Sequence, residues 1–131
     1  MYQNRVYRSL HKGRELVYFT ATVEQTDLHI GASRILKKES TEKIRFYRSQ
    51  IEGYIKKDPQ FLVSLEPIMC KADAPDIVRW MCEAASKAGV GPMAAVAGAI
   101  SQKVGEALLP LSPEVIVENG GDIFIKSNEE R

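Results

Sequence analysis

Between Pro92 and Pro110 the chain carries no charged side chain until Lys103, so Met93-Ala-Ala-Val-Ala-Gly-Ala-Ile100 and the two residues after it are uncharged for nearly three helical turns. The spacing predicts a helix over roughly Met93 to Leu109. A helix that is apolar all round has no face to give to water and must be buried on most sides. Ala94, Ala95, Gly98 and Ala99 let a neighbouring helix or sheet approach it closely.

The segments before and after it supply the cover. Arg14 to Val23 is rich in Val, Tyr, Phe and Thr, residues that suit a pleated, half-buried surface. It puts Leu16, Tyr18, Thr20 and Thr22 on one face and Val17, Phe19, Ala21 and Val23 on the other. Lys12-Gly13 reads as a turn from an earlier strand around Arg5 to Leu10. Thr26 to Ala32 reads as a further strand, with Leu28 and Ile30 inward and His29 outward. From Ser40 the period changes. Ile44, Tyr47, Ile51, Tyr54 and Ile55 form a helical stripe capped by Ser40 or Thr41, with Glu42 in its first turn and Lys56-Lys57 in its last. Asp58-Pro59 stops this helix, and Phe61 to Leu65 reads as extended.

A second helix starts near Pro75 behind Asp73 or Ala74. It turns Ile77, Val78, Met81, Ala84, Ala85 and Ala88 inward and ends at Gly89. After the third helix, Glu114 to Glu118 and Asp122 to Lys126 read as strands joined through Asn119-Gly120-Gly121, a strong tight-hairpin signal. Ser127 to Arg131 reads as a frayed end. Strands, three helices, then strands predict an α+β fold in which an antiparallel sheet, an N-terminal meander plus a C-terminal Asn-Gly hairpin, packs against about three helices.

The length of 131 residues suits one domain, 1–131, and 27% charged residues with 44% apolar ones describe an ordinary globular chain. No apolar run reaches the roughly 18 residues that span a bilayer, and Met1-Tyr2-Gln3-Asn4-Arg5 is not a secretory leader, so the expected address is cytoplasmic. Residues 1–60 hold 12 basic and 7 acidic side chains, and residues 61–131 hold 6 and 10. That basic first half, Arg34 to Arg48 especially, permits a nucleic-acid reading, which ranks behind a solvated mixed-sign surface. Cys70 and Cys82 form neither a CxxC motif nor a zinc set and are read as thiols, Cys82 as a small core residue.

Two glycine-bearing segments are candidate binding sites. Gly89-Val90-Gly91-Pro92-Met93-Ala94 feeds a helix N-terminus, where free N–H groups of Gly91, Met93 and Ala94 suit an anion. A cap followed by a turn explains the same residues, and no GxGxxG or P-loop spacing is present. In Asn119-Gly120-Gly121-Asp122 the paired glycines permit close approach of a ring or phosphate, with Asn119 and Asp122 as donor and acceptor. An Asn-Gly hairpin needs only one of the two glycines. No catalytic or metal-ligating cluster stands out: His11 and His29 are lone histidines, and Ser64 has no nucleophile elbow around it.

Together, Ala88-Gly-Val-Gly-Pro-Met-Ala-Ala-Val-Ala-Gly-Ala-Ile100, Val104-Gly105 and Val115-Ile-Val-Glu-Asn-Gly-Gly-Asp-Ile123 resemble an uncharacterised prokaryotic family. That family is related to the thiamine-biosynthesis lipoprotein ApbE, the FAD:protein FMN transferase. Tyr54-Ile55, Asp58-Pro59, Ser64-Leu65 and Ala74-Pro-Asp-Ile-Val78 fit as well. The link to the transferase itself rests on Asn119-Gly120-Gly121-Asp122-Ile123, which resembles its Gly-Gly-Asp turn beside the flavin. The resemblance implies that Gly89, Gly91, Pro92, Met93 and Ala94 line one cleft with Asn119, Gly120, Gly121 and Asp122, and that FAD or FMN occupies it. It implies Mg²⁺ only where later residues supply ligands, because the transferase's Ala-Asp-Ala stretch has no counterpart here. The transferase's Ala-Lys-Gly at the helix start is replaced by Gly91-Pro92-Met93. Residues 1–131 thus correspond to the N-terminal half of an ApbE-like domain, and a homodimer or a complementing C-terminal half is the expected partner. A non-catalytic nucleotide-binding or interaction module is the alternative.

Overall fold

A computed structural model describes residues 15–127. Two strands, β1 (Val17–Val23) and β2 (Thr26–Ala32), open the fold. Helices α1 (Lys37–Lys57), α2 (Gln60–Val63), α3 (Asp76–Ala88) and α4 (Val96–Leu108) follow, and strands β3 (Glu114–Asn119) and β4 (Asp122–Ser127) close it. One-turn 3₁₀ segments, Pro92–Ala95 and Leu109–Leu111, flank α4. The architecture is α+β: one four-stranded sheet in the order β1-β2-β3-β4, antiparallel throughout, with helices on one face. The strand expected over Arg5 to Leu10 and its Lys12-Gly13 turn lie outside the described residues.

The register explains which side chains enter the core. Phe19 and Ala21 pair with Ile30 and Leu28, and Ile30 pairs with Val117, which pairs with Phe124. This row faces the helices, and Ala21, Leu28, Ile30 and Val117 are buried there. His29 lies on the opposite face, as its alternation predicts, with Asp27 3.7 Å away. β3 is buried along almost its whole length, as a central strand should be, whereas Ile123 and Ile125 of the edge strand β4 are exposed.

Four local readings change. α1 starts at Lys37, not at Ser40; buried Leu36 stands at its N-cap without a side-chain cap bond. Ser40 is enclosed inside the first turn, its N–H donating to the Leu36 carbonyl at 2.8 Å, and the Thr41 hydroxyl donates back to the Lys37 carbonyl. Burying Leu36 thus fixes the helix start, and Glu39 takes the first-turn place expected for Glu42.

Residues 60–63 are helical, not extended. Pro59, with φ −59°, sets a helical start, and the amides of Phe61, Leu62 and Ser64 donate to Asp58, Pro59 and Gln60. Phe61 is fully buried and meets Tyr54 edge-on, ring centres 5.2 Å apart. Ala88, expected inward, points to solvent, whereas Cys82 lies on the buried stripe of α3 as expected, and the helix ends at Gly89 with φ +73°. Finally, Ser127 belongs to β4 and pairs with Glu114.

Candidate functional site

The hairpin turn consists of Gly120 and Gly121, flanked by the pair Asn119 and Asp122. Both glycines have positive φ, +57° and +99°, so the turn itself requires both of them. The second glycine is therefore no surplus, and a carboxylate oxygen of Glu118 closes the turn by accepting the Gly121 N–H at 3.0 Å. Asn119 is a strand residue. Its side-chain amide donates to the Ala97 carbonyl at 3.1 Å and ties the hairpin to the first turn of α4. Asp122 reaches the same helix near Gly98, where the Trp80 ring also packs.

The Gly89–Ala94 segment divides by role. Gly89 ends α3 in open space. Gly91 is buried because its backbone lies on the Ser64 carbonyl, where any Cβ would overlap. Pro92 is buried too. The Ala94 N–H, one of the three donors expected for an anion, donates to the Gly91 carbonyl at 3.1 Å within a 3₁₀ turn, and the Val96 N–H donates to the Met93 carbonyl. Met93 and exposed Ala94 remain at the surface.

Met93 and Asn119 nevertheless share a cavity. A groove of about 440 Å³ runs between α1 and the start of α4. Ile51 and Ile55 of α1, Leu62 of α2, and Met93, Val96, Ala97 and Ile100 make its apolar wall; Gln25, Thr26, Arg48, Glu52 and Asn119 bring the polar groups. Of the candidate residues, Met93 and Asn119 line this groove, whereas Gly89, Gly91, Pro92, Ala94, Gly120, Gly121 and Asp122 are outside its lining.

Arg48 is the best-held polar group there. It donates to the Thr26 hydroxyl at 2.8 Å, to Gln25 Oε1 at 3.3 Å and to Glu52 Oε2 at 3.3 Å, and its side chain is 19% exposed. The tight turn between β1 and β2 presents Gln25 and Thr26 to it, and Glu24 in that turn has φ +54° without being glycine. Sequence reasoning named Arg48 only as the end of a basic stretch and missed Glu52. The available signal was their position on the stripe itself, between Ile44, Ile51 and Ile55 at helical spacing, where a charge has no reason to sit in a sealed core.

A separate cleft between residues 67–70 and α3 contains both cysteines. Burial pushes the Cys82 thiol up to about 11, and the Cys70 thiol beside it adds to the shift. Among the described residues, no group of three or more His, Cys, Asp or Glu side chains gathers to hold a metal ion, and no helix is long and apolar enough to cross a membrane.

The model of the family described as AbpE bacteria matches residues 8–131. Among curated relatives, a UPF0280 protein of Methanocella arvoryzae is 51% identical over 83 residues, covering 63% of this chain and 34% of its own length. Those of Methanopyrus kandleri and Methanosarcina barkeri are 38% and 41% identical, covering 80% and 79% of this chain and 43% and 42% of their own lengths. The chain thus spans well under half the length of these relatives.

Proposed function

The chain belongs to the family described as AbpE bacteria, and we propose that it binds a flavin, FAD or FMN, or a related nucleotide, in the groove between α1 and α4. One observation carries this reading. The apolar wall of Ile51, Ile55, Met93 and Val96 faces polar groups at Asn119 and Arg48, and a planar heteroaromatic ring needs that combination of a surface to lie on and hydrogen-bonding groups at its edge. Of Asn119-Gly120-Gly121-Asp122, the stretch that resembles the transferase's flavin-side turn, Asn119 lines the groove, and the Gly-Gly-Asp part lies beside it.

FMN transfer to a protein hydroxyl is a proposal for the longer proteins of which residues 1–131 would form the N-terminal half. A flavin fits the groove's residues; Mg²⁺ does not, since the only carboxylate among the described residues that line it, Glu52, is already beside Arg48. No step is derived through the ion. A cytoplasmic setting and a homodimer or complementing half belong to the same proposal. The alternative, an interaction module, is favoured by the half-open apolar stretch Met93–Ala97.

Calorimetric titration of FAD, FMN, ADP and AMP into the chain and its Val96→Arg variant tests the reading. Flavin binding should weaken at least about tenfold in the variant, whose long side chain fills the groove. Equal affinity in both chains moves the site elsewhere, and no binding of any of the four leaves the interaction module.

A further inference from the structure

The groove does not end at Arg48. A second cleft, lined by Glu24, Gln25, Arg45, Arg48, Ser49 and Glu52 among others, adjoins it and shares Gln25, Arg48 and Glu52 with it. One side of Arg48 is thus an apolar trough and the other a polar bay containing a second arginine.

We infer that the ligand of the groove is a phosphate ester, its ring in the apolar trough and its phosphate in the bay between Arg45 and Arg48. This rests on the flavin or nucleotide reading above and adds the chemistry of the ligand's other end. Three hydrogen bonds occupy Arg48, which leaves two of a guanidinium's five N–H groups without a partner among the described residues. Thr26 and Gln25 hold the guanidinium in place, so a bound anion need not order it. Arg45 lies one helical turn earlier and is exposed.

Glu24 and Glu52 both oppose a phosphate in the bay, and of the two Glu52 is the one paired with Arg48. Its carboxylate lies 3.3 Å from Arg48, but its side chain is 61% exposed, and a solvent-facing pair of this kind contributes little. A phosphate that accepts two charge-assisted bonds from a planar guanidinium displaces it. Glu52 accordingly acts as a stand-in anion on Arg48, and its removal should favour the ligand.

The test compares FMN with riboflavin, which differ only in the phosphate, on the parent chain and on Arg45→Gln, Arg48→Gln and Glu52→Gln, with melting curves to verify folding. FMN should bind about tenfold more tightly than riboflavin. The ratio should fall in both arginine variants and rise in Glu52→Gln, with riboflavin affinity unchanged in Arg45→Gln, whose residue lies outside the groove. Equal FMN and riboflavin affinities in the parent chain overturn the phosphate bay and leave the flavin reading intact. AMP binding without riboflavin binding keeps the bay and removes the flavin ring. Absence of binding by FMN, riboflavin and AMP overturns both.

Discussion

From Ala99 to Leu108, α4 buries Ala99, Ile100, Val104, Gly105 and Leu108, although this half carries Lys103 and Glu106. From Met93 to Gly98 the polypeptide has no charge at all, yet Ala94 is exposed and the other five residues are only half-buried. Neighbours decide the difference. β3 and β4 pack against α4, and Phe124 comes so close to Gly105 that the helix has room there for no side chain. Met93, Val96 and Ala97 face α1 across an open groove. An apolar run thus reports a demand for cover, and the fold of residues 15–127 meets that demand in one half and leaves it unmet in the other.

The contrast can be broken by mutation. Leu108→Ala removes a fully buried side chain and should cost about 3 kcal/mol in urea unfolding; a loss below about 1 kcal/mol would deny that this half is sealed. Gly105→Ala should cost about 1–2 kcal/mol in spite of alanine's better helix propensity, because its methyl displaces the Phe124 ring. Phe124→Ala should remove most of that penalty when combined with it, and strict additivity of the two changes would show that they do not meet. Val96→Ala, in the open half, should shift stability by only about 0.5 kcal/mol. A loss as large as that of Leu108→Ala would mean the groove is closed in solution.

Much of this layout is legible in the residues alone. Ile44, Ile51 and Tyr54 mark α1, Gly89 ends α3, and the hairpin follows from the glycine pair between two apolar strands. What escapes depends on tertiary neighbours. Ser40 and Thr41 look like caps, but burial of Leu36 starts the helix three residues earlier. Gly91 looks like a ligand cradle until the Ser64 carbonyl is found against it. A third of the groove's lining comes from α1, whose Ile51 and Ile55 have the periodicity of any core stripe; only two of the nine candidate residues line the cavity.

The indole of Trp80, the chain's single tryptophan, rests against Gly98, beside the groove residue Ala97 and the Asp122 side chain. Its emission overlaps flavin absorption, so a flavin arriving in the trough would quench it by energy transfer. The unmodified chain therefore has its own optical reporter at the corner where hairpin and helix meet, and occupancy of that corner can be followed with light and no attached label.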